Sequence, residues 1–411
     1  MATTVVTGIG VAAPNGLGKD NFWAATLRGE SGIRPIRRFD ASRYPSQLVG
    51  EIDEFDPAEH LHSRLIPQTD RMTQIALATS DWALADAGVE PGTYDTNEMG
   101  VSTSAASGGL EYGQRELDNL WTAGPQHVSV YMSFAWFYAV NSGQISIRHA
   151  MRGPAGVMVG DQAGGLDALA QARRNVRKGL RLMLSGGVDS SLCPYGWVSR
   201  MSEGTVSTSV DPGNGYIPFD RRARGYVPGE GGAMLVVEDG DSARARGARV
   251  YGEIAGYGAT FDAAARHGGG RGLRRAVETA LADAGVDAKD IGVVFADGSG
   301  TPEGDLDEAQ TITAIFGSHA VPVTVPKTMT GRMNSGGAPA DLACALLAIR
   351  DKVIPPTINV DTVAPGYEID LVIGEARPWH PGAALVLARG ACGFNSAMVL
   401  RSSAPELREA A

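Results

Sequence analysis

The segment MVGDQAGGLDALAQAR, residues 158–173, combines an apolar strand, a tight turn and a helix of small residues. A turn of this kind exposes its tip residue and points backbone N–H groups at whatever binds there. The tip residue is Gln162, whose side chain is neither an acid–base group nor a useful nucleophile. The segment therefore has two interpretations. It is either a turn built to present a nucleophile, with glutamine in the place of the nucleophile, or a simple strand–helix connection with glutamine on the surface.

A loop rich in glycine and hydroxyl groups follows the apolar run GVVFA, within the segment VFADGSGTPEGDLDEAQ, residues 294–310. Two interpretations stay open for this loop. It could contact substrate, with hydroxyls that hydrogen-bond an amide-bearing arm, or its acidic residues could cap the helix that follows. The side chains concerned are Asp297, Ser299, Thr301, Asp305 and Glu308.

Two positive charges stand close together in VPKTMTGRMNSGG, residues 325–337, where Lys327 ends another predicted strand and Arg332 follows. Most of the positive charge in the chain is arginine, so a lysine at an apolar strand end is a candidate for a specific role. Lys327 would either stabilise charge in a buried site or form a structural ion pair. The second interpretation is favoured, with Glu308 or Asp305 as the partner.

Two glycine-rich segments would shape the site without taking part in its chemistry. The first, YIPFDRRARGYVPGEGGAMLVVE, residues 216–238, has a density of Gly and Pro that predicts a fixed, bent loop beside a pocket. The second, LARGACGFNSAMVL, residues 387–400, predicts a strand–turn–strand unit. Its backbone N–H near Ala391 could donate to an oxyanion, or the unit could be a hairpin at the C-terminal edge.

The composition indicates a globular protein and excludes several classes. The chain has 411 residues, of which 43% are hydrophobic and 20% charged, and a net charge of −10. This charge argues against nucleic acid and anionic membranes as partners, and no apolar run approaches the roughly 18 residues of a membrane span. Because Cys193, Cys344 and Cys392 lack paired spacing, we expect no disulfide framework, no metal site and a cytoplasmic location.

An α/β architecture would position these segments, because predicted strands and helices alternate along the chain. We expect the strands to be buried and mostly parallel. In the first part of the chain, strands are predicted at TTVVTGIGV, EMGVSTSA, AGVMVG, LRLMLSGGVDS and GGAMLVVED, and helices at DRMTQIALATSDWALADAG and GLDALAQARRNVRKG.

A similar order returns after about residue 250, from the strand RVYGEIAGYGAT to the paired strands AALVLARG and FNSAMVLR. Each part contains a bend followed by a small-residue helix, VGDQAGGLDAL in the first and GRMNSGGAPADLACAL in the second, which is a weak internal repeat. We therefore expect two pseudo-repeated halves, residues 1–250 and 251–411. Packed together, they would form a five-layer αβαβα sandwich whose strand ends converge on one site.

Taken together, these motifs resemble the ketosynthases of fatty-acid and polyketide synthesis, which have the thiolase fold. Members carry a Cys in a turn like DTACSSGLDAL, a His in AHGTGTPLGD and a second His in KSMIGHTLGAAG. In the matching frames of this chain stand Gln162, Asp297 and Arg332. The segments DQAGGLDAL, FADGSGTPE, VPKTMTGR and SFAWFYAVNSGQISIRH are similar above all to one subgroup, the chain length factor or ketosynthase β subunit of bacterial type II polyketide synthases.

The resemblance implies roles for further residues. Ala391 matches the bulky gating Phe of the family motif GFGGTNA, and Asp297 and Arg332 are expected to fill the former site as an ion pair. Other matched positions are Lys327, Asp305 and Glu308, which the family retains, and Ser299 and Thr301, the hydroxyls along the pantetheine arm.

The resemblance also places a polyketide channel at the interface with a catalytic ketosynthase α subunit, with dimerisation through the strand AGVMVG. The segment GGLEYGQRELDNLW, residues 108–121, matches the helix that gates this channel. Leu110, Gly113 and Leu117 share one face of that helix, and Phe134 faces the same channel by correspondence. The alternative for the two leucines is ordinary core packing. Because Phe often stands at such positions where the channel is short, the small side chains predict a longer product.

Without a thiolate or an imidazole, the chain is expected not to condense acyl groups by itself. The resemblance implies a non-condensing subunit that completes the channel of a heterodimer and sets the length of the poly-β-ketone built from malonyl-carrier protein. No bound cofactor is expected, since phosphopantetheine would arrive on the acyl carrier protein. The alternative is a malonyl-carrier-protein decarboxylase that primes chain initiation through Gln162 and backbone oxyanion donors.

Overall fold

The computed structural model describes residues 3–262, 271–379 and 382–403. Its β-strands are β1 Thr4–Ala13, β2 Gly16–Leu17, β3 Ile33–Pro35, β4 Leu48–Gly50, β5 Met99–Ala105, β6 Ala155–Val159, β7 Leu182–Asp189, β8 Gly231–Asp239, β9 Gly252–Phe261, β10 Ile291–Phe295, β11 Pro322–Thr324, β12 Val353–Ile354, β13 Asp370–Leu371, β14 Arg377–Pro378, β15 Ala383–Arg389 and β16 Phe394–Arg401. Its α-helices are α1 Lys19–Leu27, α2 Pro57–His60, α3 Arg71–Ala87, α4 Leu110–Ala123, α5 Met132–Ala135, α6 Val140–His149, α7 Gln162–Arg177, α8 Pro194–Met201, α9 Gly240–Ala245, α10 Arg271–Ala284, α11 Pro302–Phe316 and α12 Gly337–Asp351.

The two halves of the chain repeat one sheet topology. In the first half the strand order is β6-β5-β7-β8-β1, and in the second it is β11-β10-β15-β16-β9. In both orders the first three strands are parallel and the last two are each antiparallel to their neighbours. A short antiparallel contact between β1 and β9 joins the two sheets. The pseudo-repeat predicted from the sequence is therefore present in the arrangement of the strands.

The expectation of mostly parallel strands was wrong, because each sheet is mixed. The strands β8 and β16 return antiparallel beside both of their neighbours. A run of apolar residues shows that a strand is buried on both faces, but it carries no information about direction. The predicted strands and helices named above all have counterparts in the structure.

Helices and sheets alternate in five layers. The helices α3 and α6 cover the outer face of the first sheet, and α10 covers that of the second, beside α11. The helices α7 and α12 lie between the sheets and carry the largest hydrophobic cluster. Close packing there requires small residues: a Cβ on Gly165 of α7 would lie 2.4 Å from the Pro339 ring of α12. The small-residue pattern that marks both bends in the sequence therefore serves the contact between the two central helices.

The helix ends follow from local sequence. Helix α3 begins after Asp70, whose carboxylate accepts from the backbone N–H of Met72, and ends at Gly88 in the left-handed conformation. Both are standard cap arrangements. None of the described helices is long and apolar enough to cross a membrane.

Candidate functional site

The bend between β6 and α7 places Gln162 at the centre of the molecule. Gln162 is the first residue of α7, and only 1% of its surface is exposed. The predicted strand–turn–helix element is therefore present, but the alternative of a surface glutamine was wrong. The side chain points inward because the two central helices close over the bend.

The carboxamide of Gln162 is bonded to the corresponding bend of the second half. With the amide nitrogen and oxygen assigned so that each faces a complementary group, it donates to the backbone carbonyl of Asn334 at 3.1 Å and accepts from the backbone N–H of the same residue at 3.2 Å. Asn334 has a positive φ of 51°, and a Cβ on Gly337 would lie 2.2 Å from the amide of Gln162. Both polar atoms of the Gln162 side chain therefore form internal hydrogen bonds. The space around the amide has no room for a bound group.

The ion pair expected between Asp297 and Arg332 is present. The guanidinium donates to both carboxylate oxygens, at 2.9 and 3.1 Å, and also to the backbone carbonyl of Arg389. The backbone N–H of Arg389 donates in turn to Asp297 at 3.0 Å. Both charged side chains are buried, and bidentate geometry with additional bonds is what a buried pair requires.

The pKa values of this pair show that it stays ionised. Burial would raise the pKa of Asp297, but the positive charges of Arg332 and Lys327 outweigh it and hold that pKa below its usual value. Burial disfavours the charge of Arg332, yet the Asp297 carboxylate keeps the pKa of Arg332 well above its usual value. Neither group can exchange a proton near neutral pH, so neither can replace an imidazole as general acid or base.

Lys327 forms a structural ion pair, but the predicted partners were wrong. Its ammonium lies 2.6 Å from the carboxylate of Asp341 on α12 and donates to the backbone carbonyl of Ala296 at 2.7 Å. The two acids named from the sequence, Asp305 and Glu308, are instead bonded to backbone N–H groups. The two acids were the natural first candidates because their motif resembles a site segment, whereas Asp341 is brought to the lysine by the packing of α12 between the sheets.

Asp305 and Glu308 hold the loop that follows β10. Glu308 accepts from the backbone N–H groups of Asp297 and Gly298, at 2.7 and 2.8 Å. Asp305 accepts from the backbone N–H of Phe219 at 2.8 Å and from that of Gly300 at 2.9 Å. Burial raises the pKa of Asp305 to about 6, and burial together with the charge of Asp297 raises the pKa of Glu308 to about 7. These carboxylates fix the loop and are not free to react.

A cavity of about 340 Å³ lies beside this loop. Ser299 donates to Asp305 and shares a hydrogen bond of 2.9 Å with Thr301, which also caps α11. The cap that the sequence assigned to acidic residues is therefore a threonine. Ala391 lies exposed at the same cavity after β15, at the turn of the predicted strand–turn–strand unit. Its assignment as a gating residue stays a prediction.

The predicted gating helix is α4, and it packs beside α5, which carries Phe134. A Cβ on Gly113 would meet the side chain of Trp136 at 3.6 Å, so this face of α4 lies against the aromatic segment, residues 134–138. Leu110 is half-buried, whereas Leu117 is 42% exposed. The alternative of ordinary core packing was therefore wrong for Leu117.

Large apolar side chains are exposed around this helix. The edge strand β6 has one unpaired side, because β5 is its only neighbour among the described strands. An exposed edge next to exposed aromatic residues indicates a surface that is covered by another chain. The exposed apolar side chains of α4, the aromatic segment, α6 and β6, which we call the apolar face, are Leu117, Trp121, Trp136, Phe137, Tyr138, Ile147 and Val159.

Two residues of the site were not predicted. Asn334 holds Gln162 through its backbone, which no side-chain pattern could show. Asp189, at the end of β7, accepts from the backbone N–H groups of Ser335 and Ala106, and burial raises its pKa to about 6. An acid that directly follows an apolar strand, in SGGVDSS, is the signal that could have indicated it. Among the described residues, no group of acidic, His or Cys side chains could hold a metal ion.

The sequence matches two family models. The N-terminal domain of β-ketoacyl synthase matches residues 1–243, and the C-terminal domain matches residues 251–361. The chain is 56% identical to the tetracenomycin polyketide synthase ketoacyl synthase beta subunit of Streptomyces glaucescens, over 97% of this chain and 98% of that protein.

Solved structures extend the similarity. The ishigamide ketosynthase/chain length factor superposes with a TM-score of 0.91 at 26% identity, over 98% of this chain and 100% of that chain. A type II polyketide synthase acyl-carrier protein in complex with its ketosynthase, bound to the hexaketide, gives a TM-score of 0.88 at 25% identity, over 98% of this chain and 99% of that chain.

Proposed function

The chain belongs to the β-ketoacyl synthase family, as a ketosynthase β subunit of the type II polyketide synthases, and from this premise we propose that it is the non-condensing member of a heterodimer. It completes the polyketide channel of a ketosynthase α subunit and sets the length of the poly-β-ketone that this partner builds. The acyl carrier protein delivers malonyl units on its phosphopantetheine arm, and this chain binds no cofactor of its own.

The observation that carries the proposal is the closure of the reaction centre by internal bonds. Both polar side-chain atoms of Gln162 are hydrogen-bonded to the backbone of Asn334. Asp297 and Arg332 neutralise each other at the positions where a condensing ketosynthase would have its two histidines. A condensing site needs a thiolate, two imidazoles and space for an acyl group. This site has none of these groups, and the space around Gln162 is filled, although the cavity of about 340 Å³ remains beside Asp297 and Arg332.

The apolar face supports the second part of the proposal. It surrounds α4, so Leu117 and the aromatic segment would lie at the boundary with the partner rather than in the interior of this chain. Burial of such a face is the usual driving force for association of subunits. A channel that ends between two chains would then be closed by the α4 side chains Leu110, Gly113 and Leu117, with Phe134 beside them.

The alternative of a malonyl decarboxylase gains no support from the site. A glutamine amide that stabilised an enolate would have to be free to donate, whereas Gln162 donates to Asn334 and is buried. Backbone oxyanion donors alone would remain. The experiment below separates the two functions, because priming and chain length are measured independently.

The test is co-expression with the α subunit and the acyl carrier protein, followed by analysis of product length and rate. Leu117→Phe should shorten the product, and Leu306→Phe, at an exposed leucine on the outer helix α11, should not. Gln162→Ala should leave product length and rate unchanged. Unchanged length in Leu117→Phe would contradict the gating assignment. If Gln162→Ala stops initiation unless an acetyl starter is supplied, the decarboxylase function is favoured instead.

A further inference from the structure

The first turn of α4 has no cap of its own. The residue before it, Gly109, has no side chain to accept a hydrogen bond from the first N–H groups of the helix. These groups have no partner within a helix and need an acceptor when they are buried. The N–H of Tyr112, the third residue of α4, lies in a buried part of the chain.

Asp70 supplies the missing acceptor from another helix. One carboxylate oxygen accepts from the N–H of Met72 at 2.9 Å and so caps α3. The other accepts from the N–H of Tyr112 at 2.8 Å and so caps α4. Only 2% of Asp70 is exposed. A single carboxylate therefore serves two helix N-termini, where negative charge is favourable.

The surroundings are shaped for this shared cap. A Cβ on Gly109 would lie 2.8 Å from the Cβ of Asp70 and 2.3 Å from the carbonyl oxygen of Ala135, so only glycine allows the three backbones to meet. Further along α4, Glu116 accepts from the backbone N–H of Ser129 at 2.7 Å. Helix α4 is thus held through its buried residues, while Leu117, one turn after Gly113, is exposed.

We infer that Asp70 is a positioning residue for product length. By joining the first turns of α3 and α4, it fixes the depth and rotation of α4 and with them the positions of Leu110, Gly113 and Leu117. This inference rests on the proposed function, in which α4 closes the channel. Asp70 touches no substrate and acts only through the helix.

The electrostatics fit this role. Burial raises the pKa of Asp70 to about 7, while the N–H groups of Tyr112 and Met72 and the charge of Arg38 lower it and that of Glu111 raises it. A buried carboxylate is unfavourable unless its oxygens are bonded. Both oxygens of Asp70 are, and each bond goes to a different helix, so the loss of one bond releases one helix.

Two substitutions leave one acceptor where Asp70 has two. Asp70→Asn leaves one good acceptor and places an N–H group against a second donor. Asp70→Ser keeps a good cap for α3, because serine is a favoured N-cap residue. Its side chain has only one oxygen and is too short to reach the N–H of Tyr112 on α4 as well. Asp239→Asn is the matched control, because Asp239 caps only the short helix α9. All variants are measured in the complex with the α subunit and the acyl carrier protein.

The expected result is a broader distribution of product lengths in both Asp70 variants, at similar total turnover. Hydrogen exchange at the α4 amides should rise about fivefold or more, the factor that corresponds to loss of one helix cap. Asp239→Asn should match the wild type in both measurements. If the Asp70 variants keep the wild-type product and exchange rates while Leu117→Phe shortens the product, this inference is wrong and the proposed function stands. If Leu117→Phe also has no effect, the channel function of α4 fails and the inference with it.

Discussion

Arg332 donates to both carboxylate oxygens of Asp297, and the two side chains form a buried ion pair at the positions that the sequence resemblance assigns to the two histidines of condensing ketosynthases. The pair is bonded on its outer side to the backbone of Arg389. Charges that are paired this completely hold neighbouring strands together and do not serve as acid–base groups, although both side chains line the cavity beside the loop. The pair is therefore part of the packed interior of the chain.

Removing one member of this pair should be costly. Asp297→Ala leaves the guanidinium of Arg332 buried without its partner, which typically destabilises a protein by about 3–5 kcal/mol. Replacing both residues with apolar ones, Asp297→Leu with Arg332→Met, should cost much less, because no unpaired charge remains. The measurement is the free energy of unfolding in urea. Glu30→Ala, which breaks the exposed pair with Arg28, is the control and should leave the midpoint unchanged.

The ion pair between Asp297 and Arg332 could be predicted from the sequence, but the ion-pair partner of the neighbouring Lys327 could not. An acid and an arginine in the two histidine frames must meet if the frames keep their geometry, so Asp297 and Arg332 were paired correctly. Lys327 was given the wrong partner because Asp341 is brought to it only by the packing of α12. Contacts between layers depend on the rotation of whole helices, which a local pattern does not encode.

For the fold as well, some features could be predicted from the sequence and others could not. Alternating apolar runs and small-residue helices predicted the strands, the central helices and the repeat, because burial and close packing leave a periodic signature. The direction of β8 and β16 left no such signature. The shared cap at Asp70 also escaped prediction, since its second partner, Tyr112, is distant in sequence and contributes only a backbone N–H.

Gln162 should matter for stability more than for product length. Gln162→Met keeps a similar volume but leaves the N–H of Asn334 without a partner, and an unsatisfied buried group costs about 1–3 kcal/mol. The carbonyl of Asn334 still accepts from the backbone N–H of Gly337. We expect a lower unfolding midpoint and an unchanged product in the heterodimer. A variant that is as stable as the wild type would show that these two hydrogen bonds contribute little, and a changed product would show that Gln162 faces the channel.

Stability should depend on pH through Glu308. Its pKa is about 7 in the folded chain against an ordinary value of 4.5, so the folded state binds this proton more tightly than the unfolded state does. The contribution of Glu308 to stability is therefore present below pH 4.5 and is lost as the pH rises toward 7. One proton bound on folding changes the free energy of unfolding by about 1.4 kcal/mol per pH unit. Glu308→Gln should reduce the magnitude of the slope of the free energy of unfolding against pH by up to this amount. Unfolding in urea at several pH values between 5 and 7 measures the slope.

The matched control for this slope is Glu303→Gln on the same helix, where the carboxylate is exposed. The Glu308 variant keeps one oxygen to accept from the backbone of Asp297 or Gly298, so its fold should persist. An unchanged slope in Glu308→Gln would mean that the proton taken up on folding binds elsewhere, with Asp305 on the same helix as the next carboxylate to replace.

The apolar face should decide whether the chain finds its partner. Val159 lies on the edge strand β6, which pairs with β5 on one side only among the described strands. Ile147 lies exposed on the neighbouring helix α6. A charge at either position would have to be buried without a partner on association, which is strongly unfavourable. We expect Val159→Asp and Ile147→Asp each to weaken binding of the α subunit by at least about tenfold, as measured by sedimentation or by titration.

The same substitutions should leave the isolated chain as stable as the wild type and make it more soluble, because they remove exposed apolar surface without touching the core. Val210→Asp is the matched control: Val210 is equally exposed but lies in the loop between α8 and β8, outside the apolar face. It should bind the α subunit normally. If Val159→Asp and Ile147→Asp also bind normally, the partner covers another surface. The channel would then not end at α4, since the helix that closes a shared channel must lie within the surface that the two subunits share.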